Sequence, residues 1–164
     1  MKLEQFKALI ETEIPNAIEG LDENATPQAL LISKEHISQV CELLHSNDQT
    51  YFDQLSCLTA LDNGEEVGTI EIIYNLYSIP YDLHLMMKVV LTRESPAIDS
   101  VSHIWKTADW HEREAFDLLG VSFKNHPDLR RILLPADWQG YPLRKDYVEQ
   151  EKYHDVVVKW ETEE

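Results

Sequence analysis

The amino-acid sequence predicts an α+β fold, a two-layer sandwich with a mostly antiparallel or mixed sheet and helices on one face, followed by an irregular Pro-containing C-terminal docking segment. Three observations predict it. Residues 69–77 and 83–91 alternate with period two, residues 3–13 and 33–44 carry apolar side chains at helical spacing, and prolines 127, 135 and 142 leave no room for another long regular element. At 164 residues the chain makes one domain with a tail, divided as an α+β domain over 1–120 and an extended docking segment and acidic tail over 121–164.

Leu3, Phe6, Ile10 and Ile14 form one stripe that Pro15 stops, so residues 3–13 are predicted helical. Ala17–Leu21 and Gln28–Ile32 read as short strands separated by Asn24 and Pro27. Ser33 is placed to cap a second helix, whose core stripe is Ile37, Val40, Cys41 and Leu44. Cys41 thereby reads as a small buried hydrophobe. Three strands follow, Leu55–Leu61, Thr69–Tyr77 and Leu83–Leu91, with turns at Asn63-Gly64 and Pro80–Asp82 that favour adjacent antiparallel pairing. The less apolar sheet face still carries Ile73, Tyr77, Met86 and Val90, which calls for cover by a third helix or a partner. Asp109 with Glu112 reads as a capping box for a helix over 110–119, and Gly120 as its stop.

The formal net charge of −16 repels phosphate backbones, so no nucleic-acid partner is expected. The charge is uneven: residues 1–105 carry a net −12, residues 124–145 a net +3, and residues 146–164 a net −5, a last stretch that is expected to bury little and to fray. Cys41 and Cys57 are too few for a thiolate-held iron–sulfur cluster or a disulfide framework. Glu11 and Glu13 fall where a signal peptide would be apolar, and the greasy segment 83–91 is far shorter than a bilayer span. A soluble protein of a reducing compartment is expected.

Chemistry concentrates in Asp109-Trp110-His111-Glu112-Arg113-Glu114-Ala115-Phe116-Asp117. His111 and Glu114 share a helical face, and with His126 they define the alternative of a self-sufficient metal-dependent enzyme. That design needs ligands from further helices, and no His-Glu-x-x-His spacing occurs. Glu112 and Glu114, two apart on a helix, do not form a facing acid/base pair. The favoured reading is an ion-pair lattice between Glu112, Arg113, Glu114 and Asp117 and the basic island Arg130, Arg131, Arg144 and Lys145. Arg130 and Arg131 after His126-Pro127 also fit an oxyanion, though a clamp on carboxylates is the stronger reading. Trp105, Trp110, Trp138 and Tyr141 around an extended, proline-containing backbone have the composition of a protein interface.

The run from Trp105 to Gly120, then His126-Pro127-Asp128-Leu129-Arg130-Arg131-Ile132-Leu133, then Asp137-Trp138, Gly140 and Pro142-Leu143-Arg144-Lys145-Asp146-Tyr147, closely resembles the C-subunit family of NADH-quinone oxidoreductase, the 30 kDa subunit family of respiratory complex I. The family's pattern of Glu-Arg-Glu, acid, apolar pair, His, basic residue and apolar pair is met by Glu112-Arg113-Glu114, Asp117, Leu118-Leu119, His126, Arg130 and Ile132-Leu133. The resemblance implies a peripheral-arm subunit without a catalytic centre. Its cofactors would all lie elsewhere, with NADH, FMN, iron–sulfur clusters and quinone in the assembled complex. It further implies contact with the large D-subunit of the quinone site and the cluster-bearing B-subunit, and a peripheral position on the cytoplasmic face of the bacterial inner membrane, with membrane contact only through the complex. Glu112, Arg113, Glu114, Asp117, His126, Pro127, Arg130, Arg131, Trp138, Arg144, Lys145 and Asp146 carry over as interface and structural residues. Similar subunits serve ferredoxin-linked and F420-linked complexes and membrane hydrogenases, which are the alternative assemblies.

Overall fold

The computed structural model describes residues 2–159; of the stretch 146–164 expected to fray, residues 160–164 lie outside the described residues, while residues 152–157 pair as a small hairpin. Helix α1, Leu3–Glu13, buries Phe6 and Ile10 and ends where Pro15 follows. Strands β1, Ile18–Asp22, and β2, Ala29–Ile32, pair antiparallel. Helix α2 runs over Ile37–Ser46, starting later than a cap at Ser33 would place it. Instead of capping, Ser33 Oγ donates to Glu35 Oε2 at 2.6 Å and the Ser33 carbonyl accepts from His36 N–H at 3.0 Å, so residues 33–36 close a turn. The expected stripe of Ile37, Val40, Cys41 and Leu44 is fully buried, and burial pushes the Cys41 thiol well above its ordinary range.

Strands β3, Gln54–Asp62, β4, Thr69–Ser78, and β5, Leu83–Thr92, form the expected antiparallel meander. The sheet order is β1-β2-β5-β4-β3, and it is mixed because β2 pairs with β5 in parallel, Leu30 opposite Met87. On the inner face Ile70, Ile72, Tyr74, Leu76, Leu85, Met87, Val89 and Leu91 are buried with the apolar stripes of the helices. The other face, with Ile73, Tyr77 and Met86 half-buried and Val90 exposed, carries Lys88 bridged to Asp22 at 2.6 Å and Glu71 at 3.3 Å. That cation spans β1, β5 and β4, so part of the face is closed by a polar cross-tie.

Strand β6, Ala97–Asp99, leads into helix α3, Lys106–Leu119, which leads into β7, Ser122–Lys124; β6 and β7 pair in parallel. Val121 and Phe123 belong to the core, and the chain leaves it after Lys124. Helix α3 begins a turn earlier than a cap at Asp109 predicts. Its N-cap is Trp105, in extended backbone, whose indole Nε1–H donates to the Phe52 carbonyl at 3.0 Å. A buried aromatic anchor thus starts the helix where the capping-box pattern pointed elsewhere. Gly120 terminates it as predicted, at φ +76°. The remaining described residues run as an irregular strap with one small hairpin, β8, Lys152–Tyr153, and β9, Val156–Val157.

Candidate functional site: the α3 clasp and its strap

The charged residues of α3 are aimed at backbone. Asp117, fully buried, accepts three consecutive amides with one oxygen: Ile132 N–H at 3.0 Å, Leu133 N–H at 2.7 Å and Leu134 N–H at 2.9 Å. Its other oxygen takes Arg131 Nη1 at 2.7 Å. Burial alone raises a carboxyl, but the Leu134 amide, the Arg131 guanidinium and the Ile132 and Leu133 amides outweigh it and hold Asp117 below the usual range. Arg131 in turn donates to the carbonyls of Asp117, Trp138 and Gly140 at 2.9, 3.1 and 3.0 Å. One ion pair therefore fixes residues 131–140 to the helix.

Glu112 is fully buried one turn earlier and faces the other way. It accepts Ser100 Oγ–H at 2.6 Å and Val101 N–H at 2.7 Å, fastening the turn between β6 and α3. Burial pushes its carboxyl up to about 7, with the Ser100 and Val101 donors opposing and Asp109 reinforcing the rise. The His126 side chain, also fully buried, accepts Asp128 N–H on Nδ1 at 3.0 Å, so the neutral ring carries its proton on Nε2. That nitrogen lies 3.2 Å from the Asp109 carbonyl and 3.8 Å from Glu112 Oε2. Arg113 donates to the Arg130 carbonyl at 3.3 Å and lies over the Trp110 ring at 5.2 Å.

The strap's far end is held by a second buried carboxylate. Asp62, at the end of β3, makes a bidentate pair with Arg93, Nε to Oδ1 at 2.7 Å and Nη2 to Oδ2 at 3.0 Å, and accepts Lys145 N–H at 2.8 Å and Gly64 N–H at 3.0 Å. Arg93 also pairs with Asp146. The Arg93 guanidinium holds the carboxyls of both Asp62 and Asp146 below the usual range, against the opposing effect of burial. Arg144 Nε donates to the Leu119 carbonyl at 2.7 Å and its guanidinium lies over Tyr141, as does that of Arg131. Trp138 Nε1–H donates to Tyr147 Oη at 3.2 Å.

These contacts correct the expected ion-pair lattice. Of its members, only Asp117 and Arg131 pair with each other; Glu112, Arg113 and Arg144 bond other groups of the chain, and Lys145 is held mainly through its own amide. Arg130 is exposed and pairs with Asp128, Pro127 is exposed at the turn, and Glu114 is exposed with no ion pair among the described residues. Arg131 is committed to carboxylate and carbonyl partners, which makes it a clamp. His111, Glu114 and His126 are not brought together, and no group of three or more His, Cys, Asp or Glu among the described residues is placed to hold a metal ion. Sequence reasoning missed Asp62 and Arg93, which sit at strand ends 31 residues apart. It also missed Ser100, whose hydroxyl explains why Glu112 is tolerated in the core.

No described helix is long and apolar enough to cross a membrane. Residues 30–153 match the sequence profile of the family described as respiratory-chain NADH dehydrogenase, 30 Kd subunit. The NADH-quinone oxidoreductase C-subunit of Chloroherpeton thalassium is 40% identical over 152 residues, spanning 92% of this chain and 62% of that protein. The protein of the same name from Chlorobium phaeobacteroides is 37% identical over 152 residues, covering 92% and 91%. Among solved structures, a trypsin-resistant fragment of Nqo5 superposes with a TM-score of 0.53 at 25% identity, over 62% of this chain and 82% of the fragment. A chain of an archaeal membrane-bound sulfane sulfur reductase shares the fold at a TM-score of 0.72 and 20% identity, over 98% and 95%. With a profile match over most of its length and relatives at this level of identity, the chain belongs to the respiratory-chain NADH dehydrogenase 30 kDa subunit family.

Proposed function

We propose that this chain is the non-catalytic C-subunit of a proton-translocating NADH-quinone oxidoreductase, lying in the peripheral arm and bracing the quinone-reduction module against the large D-subunit and near the cluster-bearing B-subunit. The observation that carries this reading is the direction of the family-pattern residues. Glu112, Arg113, Asp117 and His126 of that pattern, together with Arg131 beside it, bond groups of their own chain, as a scaffold requires, while Glu114 stays exposed. Electrons would then pass from NADH through FMN and iron–sulfur clusters held by other subunits to quinone, and this chain would present the clamped strap to its neighbours. Its place is peripheral, on the cytoplasmic face of the bacterial inner membrane, with contact to the bilayer through the complex.

The test is an Arg131→Ala variant in the native host, with complex yield and NADH:quinone activity measured in the same membranes. Removing one partner of a buried pair costs about 3 to 5 kcal/mol because the other charge is left behind. The expected result is that yield and activity fall together, and normal yield with turnover lost would sink the bracing role.

A further inference from the structure

The outer side of α3 carries a surface that the clasp does not use. Trp110, Leu133 and Leu143 are 62%, 63% and 59% exposed, unusual values for side chains whose neighbours are so thoroughly tied down. They border two adjoining hollows. One, of about 130 Å³, is lined by Trp110, His111, Glu114, Ile132 and Leu133; the other, a dimple of about 30 Å³, has His111, Glu114, Leu118 and Leu143 in its wall. His111 and Glu114 are common to both, so an exposed carboxylate stands at the junction of a largely apolar depression and a smaller one of mixed polarity.

No cation of the described chain reaches that carboxylate, although α3 and the strap are rich in them. Arg113 is engaged with the Arg130 carbonyl and Trp110, Arg130 with Asp128, Arg131 with Asp117, and Arg144 with the Leu119 carbonyl and Tyr141. The clasp thus consumes the local positive charge and leaves Glu114 as a lone anion in an apolar rim. We infer that this double groove is the seat of an element of another protein subunit that presents an Arg or Lys to Glu114, flanked by an aliphatic or aromatic side chain that fills the larger hollow beside Trp110 and Leu133. Charge selects this occupant. A second copy of this chain brings a net −16, and the chain's own last residues, Glu161-Thr162-Glu163-Glu164, are acidic, so both meet Glu114 with like charge. Arg also suits the Trp110 face beside the groove.

The inference rests on the subunit reading above, and the experiment separates the two. A tagged full-length chain is expressed in its own host, extracted in mild detergent, and the fraction migrating in the large assembly is measured for wild type, Glu114→Gln and Glu114→Lys. Retention is expected to fall at least about tenfold for Glu114→Lys and by less for Glu114→Gln, with the thermal melt of each purified chain close to wild type because the exposed Glu114 makes no ion pair among the described residues. In the same host, p-benzoylphenylalanine in place of Leu133 is expected to cross-link to a peptide of a different subunit that contains Arg or Lys. Wild-type retention of Glu114→Lys, or a cross-link only to another copy of this chain, overturns the seat while leaving the subunit reading intact. Absence of the wild-type chain from any large assembly overturns both.

Discussion

Asp117 accepts three consecutive strap amides and an arginine on its two carboxylate oxygens. Asp117→Ala would leave Arg131 and three N–H groups without their acceptor, and the expected loss is about 3 to 5 kcal/mol in urea unfolding of the purified chain. Glu112 behaves oppositely because its carboxyl is raised, to about 7 from 4.5. A raised carboxyl favours the fold fully below its unfolded value, and that contribution fades as pH rises through about 7. Glu112→Gln, which can accept from Val101 N–H and donate to Ser100 Oγ, should match wild type near pH 4.5 and be more stable by up to about 3 kcal/mol above pH 7. Urea midpoints for both chains across that range check the sign, and a wild-type advantage at high pH would refute it.

Helix α3 and the strap meet most tightly at Gly120. A Cβ there would stand 2.6 Å from the Tyr141 ring, and φ is +76°, so alanine suffers both a clash and a left-handed backbone. Gly120→Ala is expected to cost at least about 2 kcal/mol, falling to about 1 when measured in a Tyr141→Ala background, since only the backbone part survives. Gly120 as a helix stop was legible in the sequence, as were the period-two strands and the buried stripe of α2. The start of α3 was not, because Trp105 begins it through burial and an indole hydrogen bond and offers none of the polar signals that mark a cap. The parallel pairing of β2 with β5 was equally hidden: it joins segments more than fifty residues apart, and local periodicity carries no information about such partners. For the clasp, the sequence exposed the charged residues but not their targets, since carbonyls and amides exist at every position and only folding selects among them.

Across the whole molecule the titrating groups oppose one another. Asp62, Asp117 and Asp146 have lowered carboxyls, so their contribution is present above the ordinary value of 3.8 and is lost as pH falls through their folded values. Glu112 withdraws its own contribution toward pH 7, and a chain of net charge −16 repels itself there. Thermal stability is therefore expected to peak in mildly acidic buffer, roughly pH 4.5 to 6, and to improve with added salt at pH 8. A melting temperature that climbs steadily to pH 8 would contradict this balance.

The clasp has one more consequence, for how the strap can change over generations. Asp117 and Asp62 grip the amide hydrogens of residues 132, 133, 134 and 145, a group that every amino acid except proline supplies. At gripped positions whose side chains face outward the path of the strap is uncoupled from its lettering: Leu133 and Lys145 are exposed and their side chains can be rewritten to suit a new neighbour without loosening the backbone. Proline alone is barred, and the chain already places one at 135, just past the last amide that Asp117 grips. Saturation mutagenesis at 133 and 145 should accordingly find proline intolerable for folding and the other substitutions sorted only by assembly.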